Sequence, residues 1–289
     1  MSLSTVMHTS LSGMQAATYF LNVTANNLAN LQTRGYKAQT PRFATLGYQT
    51  LSVGSPALLG GGTNPIQLGW GVQTAGIATD WSQGSIVIDD RPPLLALDGE
   101  GLFILEGDDG GRLYTRDGQF SLNSAGELVT SYGDRVLGYA IGVDGQLDRS
   151  ELSPLTIRLG STIADADGQT ATLRSFSIDR SGRVAGHYSD GRSRTLGQLR
   201  LARFSNPDGL LRRAGNKFEA TPASGAPTEL DPGEAGAGEV ISGAYELSNV
   251  DIGKQLIDLA LAGNLFRANV AVFETANAML SELFFPWRR

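Results

Sequence analysis

The chain has 289 residues, a formal net charge of -6, 41% hydrophobic and 18% charged residues, 37 glycines and no cysteine. Without cysteine there are no disulfides, thiolate metal sites or cysteine nucleophiles. The acidic balance, with no basic cluster larger than Arg212-Arg213 or Arg288-Arg289, excludes the concentrated basic patch that nucleic-acid binding needs.

The first predicted element is a helix from about Leu3 to Leu31. Met7, Leu11, Met14, Thr18, Leu21, Ala25 and Leu28 recur in steps of four and three, a heptad seam that is apolar except at Thr18. The other face carries Ser, Thr, Gln and Asn where a solvated helix would carry Lys and Glu, which suits burial against other subunits. Gly35 is the expected C-cap. The first charged residue is Arg34, so no basic region precedes an apolar core and a cleaved signal peptide is not expected.

Residues 35–65 read as an extended linker, rich in Gly, Pro and Leu from Gly54 to Pro65. From about Ile66 to Phe218, short β-like runs such as Leu94–Leu97, Leu102–Leu105, Gln119–Leu122 and Leu196–Phe204 alternate with turns. The turn signals are Asp109-Gly110, Asp117-Gly118, Asp144-Gly145 and Asp190-Gly191, with Ser124 to Gly126 and Arg180 to Gly182 as further candidates. Residues 221–247, rich in Pro, Gly, Ala and acidic residues, read as a second linker.

The last element is a helix from about Asn249 to Phe285. Its seam runs Ile252, Leu256, Leu259, Gly263, Phe266, Val270, Phe273, Asn277, Leu280 and Phe284, and Ile257, Leu261, Leu265 and Val272 form a second apolar flank. Ser248 or Asn249 is the expected N-cap, with Asp251 in the first turn. No apolar run approaches the ~20 residues that cross a bilayer, so membrane insertion is not expected. The expected fold is α+β: an all-β outer domain (66–220) flanked by an N-terminal helix (1–34) and a C-terminal helix (248–289), which pair as a coiled-coil-like stalk.

These residues resemble a known family. Ser12-Gly-Met-Gln-Ala-Ala17, Leu21-Asn-Val-Thr-Ala-Asn-Asn-Leu-Ala-Asn30 and Thr33-Arg-Gly-Tyr-Lys37 look like the rod signature of the bacterial flagellar rod and hook axial family. Phe43 to Thr50 resembles the segment after the first helix in distal rod subunits. Gln67 to Val72, Ser82 to Ser85, Pro93 to Phe103, Tyr114 to Phe120 and Gly126 to Val129 resemble the family's β domain. Phe204 to Leu210, Gly215 to Phe218 and Glu246 to Asp251 continue the match in the same order. There are departures. Gly263-Asn264 stands where the family usually has Gln-Arg, the tail Phe284–Arg289 is unusual, and Leu147 to His187 matches none of these family segments. Hook proteins commonly carry a large extra domain for which this chain has too few residues.

Several features admit an alternative reading. Gly60-Gly-Gly62 could cradle phosphate, but no helix follows it. His8 and His187 lack the three or four convergent ligands of a metal site. Asp89-Asp90, Asp108-Asp109 and Asp165/Asp167 read as turn caps rather than acid–base or Ca²⁺ sites. The seams could close an intramolecular two-helix stalk, join different copies of the chain, or do both.

The resemblance implies a structural subunit of the basal-body rod, exported without a cleaved signal by the flagellar export apparatus and assembled into a hollow helical tube. Its partners are other copies of itself and other rod and hook proteins, with no cofactor, metal, nucleic acid or small-molecule substrate. The expected assembly interface is Met7, Leu11, Met14, Leu21, Ala25, Asn26, Asn27, Leu28, Asn30, Gly35 and Tyr36, with Leu256, Leu259, Phe266, Asn269, Val270, Phe273 and Leu280. Within the family, a short hook protein or a proximal rod protein is the alternative. In another class, the alternative is a β-domain enzyme acting on peptidoglycan through two carboxylates.

Overall fold

The computed structural model describes residues 3–56, 61–89, 93–141, 146–164, 170–234 and 236–284. The Asp144-Gly145 turn, the Asp165/Asp167 pair and the tail after Phe284 lie outside them. The chain forms two compact units. A helical unit comprises Met1–Leu31, Ala38–Asp80 and Val250–Arg289, and a β unit comprises Gln32–Lys37 and Trp81–Asn249. The class is α+β, mostly β with one large sheet and a helix near each end.

In the helical unit, α1 (Leu3–Ala29) and α2 (Ile252–Phe284) lie side by side. They are antiparallel, because Asn27 meets Gln255 while Gly13 meets Asn269. Asp251 caps α2: its Oδ1 accepts from the backbone N–H of Lys254 at 3.1 Å. The cap is thus neither Ser248 nor Asn249, and the carboxylate sits where the helix dipole favours it. Gly35 does not cap α1 either. The helix stops at Ala29, and the Asn30 N–H is shared between the carbonyls of Asn26 and Asn27.

The expected linker after α1 is instead half of a β-ribbon. β1 (Gln39–Thr45) and β2 (Tyr48–Ser52) run outward, and β3 (Ile66–Gly69) and β4 (Val72–Thr79) return antiparallel to them. Gln39 faces Thr79 at the root, and a Ser55–Thr63 bridge lies beyond Ser52 and Ile66 near the tip. The segment Ile66–Thr79, expected in the β domain, therefore belongs to the helical unit. The Ser55–Thr63 bridge joins the described ends of the Gly54–Pro65 stretch, and residues 57–60 lie outside the described residues.

The β unit is built from antiparallel hairpins. Its principal sheet runs, in spatial order, Thr162–Ala164, Thr170–Ile178, Arg183–Tyr188, Ser193–Leu199, Arg135–Ala140, Leu102–Glu106, Arg112–Thr115, Lys217–Glu219 and Leu211–Arg213. Of the Asp residues read as turn signals, Asp109, Asp117 and Asp190 act as such. Asp109 Oδ1 accepts from Gly111 N–H, and Asp190 Oδ1 from Arg192 N–H, both at 2.9 Å. The run Leu102–Leu105 is continuous rather than alternating because both of its faces are buried. Phe103 and Leu105 enter one apolar cluster with Leu95, Leu97, Phe120 and Leu199, while Leu102 and Ile104 enter another with Tyr114, Phe204 and Phe218.

The second expected linker is also ordered into strands. Thr228–Leu230 pairs with Leu201–Arg203, Glu239–Ser242 with Leu95–Asp98, and Ala244–Glu246 with Ile86–Ile88. Their partners are distant in sequence, and short strands pairing over such separations leave no local periodicity to read. The expected single run Leu196–Phe204 is two strands, Ser193–Leu199 and Leu201–Arg203.

Candidate assembly interface

The two helices touch through small and polar residues. Ser10, Ala17 and Thr24 on α1, seven apart, are buried, as are Gln255, Ala262 and Ala276 on α2. Asn269 completes the second heptad, half-buried and facing Gly13. A Cβ on Gly13 would lie 2.4 Å from the Asn269 side-chain oxygen, so the approach depends on glycine there. Small side chains at a helix crossing let the axes come close.

Asn27 locks this pair to the ribbon. Its Nδ2 donates to Gln39 O at 2.7 Å and to Gln255 Oε1 at 3.1 Å, and its Oδ1 accepts from Gln39 N–H at 2.9 Å. One amide thus ties α1, α2 and the root of β1 together. Further along, Ser12 Oγ accepts from Val72 N–H at 3.2 Å, and Phe20 packs edge-on against Phe43 with ring centroids 6.5 Å apart.

The predicted seams lie outside this contact. On α1, Leu11, Leu21, Ala25 and Asn26 are exposed, and Met7, Met14, Leu28 and Asn30 are half-buried. On α2, Leu256 and Phe266 are exposed at 50% and 40%, and Leu259, Val270, Phe273 and Leu280 are half-buried. Ile257, Leu261, Leu265 and Val272 are exposed as well. Three expected interface residues are not available on the surface. Asn27 is internal to the helical unit, and Gly35 and Tyr36 are buried within the β unit. Gly35 has φ of 61°, and a Cβ there would meet the Arg116 carbonyl carbon at 2.7 Å. Tyr36 lies beneath the Arg212 guanidinium. Burial raises the phenol pKa and lowers that of Arg212, each opposed by the presence of the other.

The ribbon also carries uncovered apolar side chains that the seam reading missed: Tyr48, Leu51, Val53, Ile66, Trp70 and Ile77 are about half exposed or more. α2 is long and apolar enough, by length and composition, to cross a bilayer, although the sequence contains no unbroken apolar run. The small-residue heptads Ser10-Ala17-Thr24 and Gln255-Ala262-Asn269-Ala276 were visible in the sequence as a period of seven, and could have identified the internal face.

Among the described residues, neither histidine has an acidic partner. His8 is exposed on α1, and His187 bridges Ser177 and Ser193 at 3.0 and 2.9 Å. Among the described residues no group of three His, Cys, Asp or Glu is placed to hold a metal.

Comparison with known proteins assigns the arrangement. Residues 7–37 match the family described as Flagella basal body rod protein, and residues 96–186 match the Flagellar hook protein FlgE/F/G D1 domain. The flagellar basal-body rod protein FlgG of Bacillus subtilis is 32% identical over 279 residues, covering 96% of this chain and 97% of that protein. FlgG of Agrobacterium fabrum is 34% identical, covering 93% and 94%. The flagellar hook protein FlgE of Salmonella typhimurium is 24% identical over 409 aligned positions, covering 94% of this chain and 98% of the hook protein. With a rod-protein match near its N-terminus, a hook/rod β-domain match in its centre and co-linear rod relatives spanning almost its whole length, the chain belongs to the FlgG family of flagellar basal-body rod proteins, structural components of the flagellar axis.

Proposed function

We propose that the chain is a subunit of the distal rod that polymerises with copies of itself into a hollow helical tube and joins other rod and hook proteins at its ends. The carrying observation is the division of labour on the helices. The chain spends its small residues on its own helix pair and leaves Leu11, Leu21, Leu256, Ile257, Leu261, Leu265 and Phe266 uncovered. Exposed apolar stripes of this length need partners. Contacts between unlike faces that do not close into a ring generate a filament. In that assembly the paired helices form the inner tube as a coiled-coil-like layer and the β units the outer one.

A bilayer is the less fitting partner for α2. Asn264, Arg267, Asn269, Glu274, Thr275 and Asn277 recur along it, and lipid offers them no hydrogen bonds. The rod is favoured over the hook by alignment length. The rod relative aligns over 279 positions and the hook protein over 409, against 289 residues here. The subunit reaches the periplasm-spanning rod by the flagellar export apparatus, and it acts structurally, not as an enzyme.

The test is electron microscopy of the purified protein at high concentration, beside a variant lacking residues 1–31. Tubes from the full chain and none from the truncation are expected. Tubes from the truncated chain overturn the reading. Cleared bands on a peptidoglycan zymogram would favour the enzyme instead.

A further inference from the structure

Three charges from distant parts of the sequence meet inside the β unit in one buried knot. Lys37 ends the stretch Gln32–Lys37, the first part of the unit; Arg116 follows the strand Arg112–Thr115; Glu246 ends the strand Ala244–Glu246, close to the last residue of the unit, Asn249. Glu246 Oε1 accepts from Lys37 Nζ at 2.6 Å and from Gly84 N–H at 2.7 Å, and Oε2 accepts from Arg116 Nε at 2.5 Å. The three side chains are 1–4% exposed. Lys37 also donates to Ser82 O, and Arg116 to the carbonyls of Leu97, Gly99 and Gly101. The backbone of the first stretch is held by later residues of the same unit. Gly35 N–H donates to Glu246 O at 2.9 Å, Asn216 Nδ2 to Arg34 O at 2.9 Å, and Arg212 to Lys37 O at 2.7 Å.

The charges dictate when this arrangement can form. Lys37 precedes its carboxylate by 209 positions and Arg116 by 130. An intact buried pair adds little to stability, because desolvating the charges offsets most of their attraction. Removing one partner is costly, because the charge that remains is buried without its counter-ion. Here one carboxylate serves two cations, so its absence strands both. The principal sheet is complete in sequence at Glu219, before that carboxylate has been made. We propose that Glu246 is a completion lock on the β unit: the unit stays open while Lys37 and Arg116 lack their counter-ion, and closes when the strand Ala244–Glu246 arrives and pairs with Ile86–Ile88. Chains are made from the N-terminus. The lock therefore keeps the β unit unfolded until little more than the C-terminal helix remains to be added. The inference rests on the rod reading only for its purpose, which is to keep an unfinished chain fit for export; the lock itself is a property of the single subunit.

The test uses the full-length protein. Amide hydrogen exchange at the buried core residues Phe103, Leu105 and Leu199 reports opening of the β unit as a whole. In Glu246→Gln that exchange is expected to quicken by about a hundredfold or more, the consequence of stranding buried charge. Lys37→Met combined with Glu246→Gln removes more contacts but returns the knot to a surplus of one positive charge, as in the parent. Its exchange is expected to be slower than that of Glu246→Gln by about tenfold or more. Where Glu246→Gln unfolds the unit outright, the same comparison is read as recovery of the near-ultraviolet circular dichroism in the double variant. In synchronised cell-free synthesis of the parent, protease-resistant β-unit fragments are expected only from chains that have passed Glu246. Parent-like exchange in Glu246→Gln, a double variant no better than the single one, or resistant fragments from shorter chains overturns the proposal. Failure of the parent protein to form tubes overturns the rod reading and leaves these measurements to decide the lock by themselves.

Discussion

Asn27 and Gln255 are 228 positions apart in sequence, yet their side-chain amides are joined by a buried hydrogen bond of 3.1 Å. The same Asn27 holds both backbone groups of Gln39. This gives a physical reason for the Ala-Asn-Asn-Leu-Ala-Asn run: its second Asn is an internal fastener and not a contact offered to neighbours. Asn27→Ala strands the Gln39 N–H and the Gln255 carbonyl oxygen. It is expected to destabilise the helical unit by roughly 1–3 kcal/mol, the range for buried groups left without partners. Faster amide exchange at Gln39, with the β unit unaffected, is the measurement that checks it.

The exposed stripes make a contrasting prediction. Leu21→Glu and Leu261→Glu change side chains that are 36% and 47% exposed. Such surface substitutions are expected to alter the stability of the single subunit by no more than about 0.5 kcal/mol. Each is expected to abolish tube formation, because a charge would be forced into an apolar contact. Circular dichroism of the subunit and electron microscopy of the assembly separate the two effects. Normal tubes from both variants would show that these stripes are not the contact.

Phe103 is fully buried, edge-on to Phe120 with ring centroids 5.1 Å apart. Phe103→Ala leaves a cavity in the middle of the β unit and is expected to cost about 3–5 kcal/mol. Denaturant titration followed by near-ultraviolet circular dichroism would show the lowered midpoint.

Asp117 gives a pH dependence. Burial raises its carboxyl pKa, against a lowering contribution from the Gln119 N–H and the Arg34 charge. A folded pKa above the unfolded one means the folded state binds the proton more tightly. Stability linked to this group is therefore greatest below the unfolded carboxylate range and is lost as pH rises through the folded pKa. Asp117→Asn keeps the side-chain oxygen that accepts from Gln119 and removes the buried charge. Its melting temperature is expected to exceed the parent's by roughly 1–3 °C at neutral pH, the gap closing as the pH falls into the carboxylate range. An equal gap at both pH values would exclude this origin.

The helices were legible because their signal is local. The expected spans, Leu3–Leu31 and Asn249–Phe285, differ from the observed Leu3–Ala29 and Ile252–Phe284 by a few residues. The Asp-Gly turns at Asp109 and Asp190 were legible for the same reason. Which face of each helix turns inward was not. A heptad of Leu and Met reads more strongly than one of Ser, Ala and Thr, yet the small residues make the internal contact because they allow the closer approach. The two expected linkers misled because Gly, Pro and acidic residues occur between paired strands as well as in tethers. Their strands are short, and two of them find partners more than a hundred residues away, as Glu246 does at Ile86. The knot was hidden likewise: Lys37, Arg116 and Glu246 are unremarkable in isolation, and only the tertiary fold brings them together.

Not one Lys, Arg, Asp or Glu occurs before Arg34, so α1 is an uncharged rod of protein. Whatever lattice it enters gains little from Coulomb attraction along that surface and has little for ions to screen. The cohesion of such a lattice comes mainly from removing apolar surface from water, a force that weakens on cooling. Contacts made by that helix would hold across fresh and saline surroundings alike, and chilling, not brine, would be the condition that loosens them.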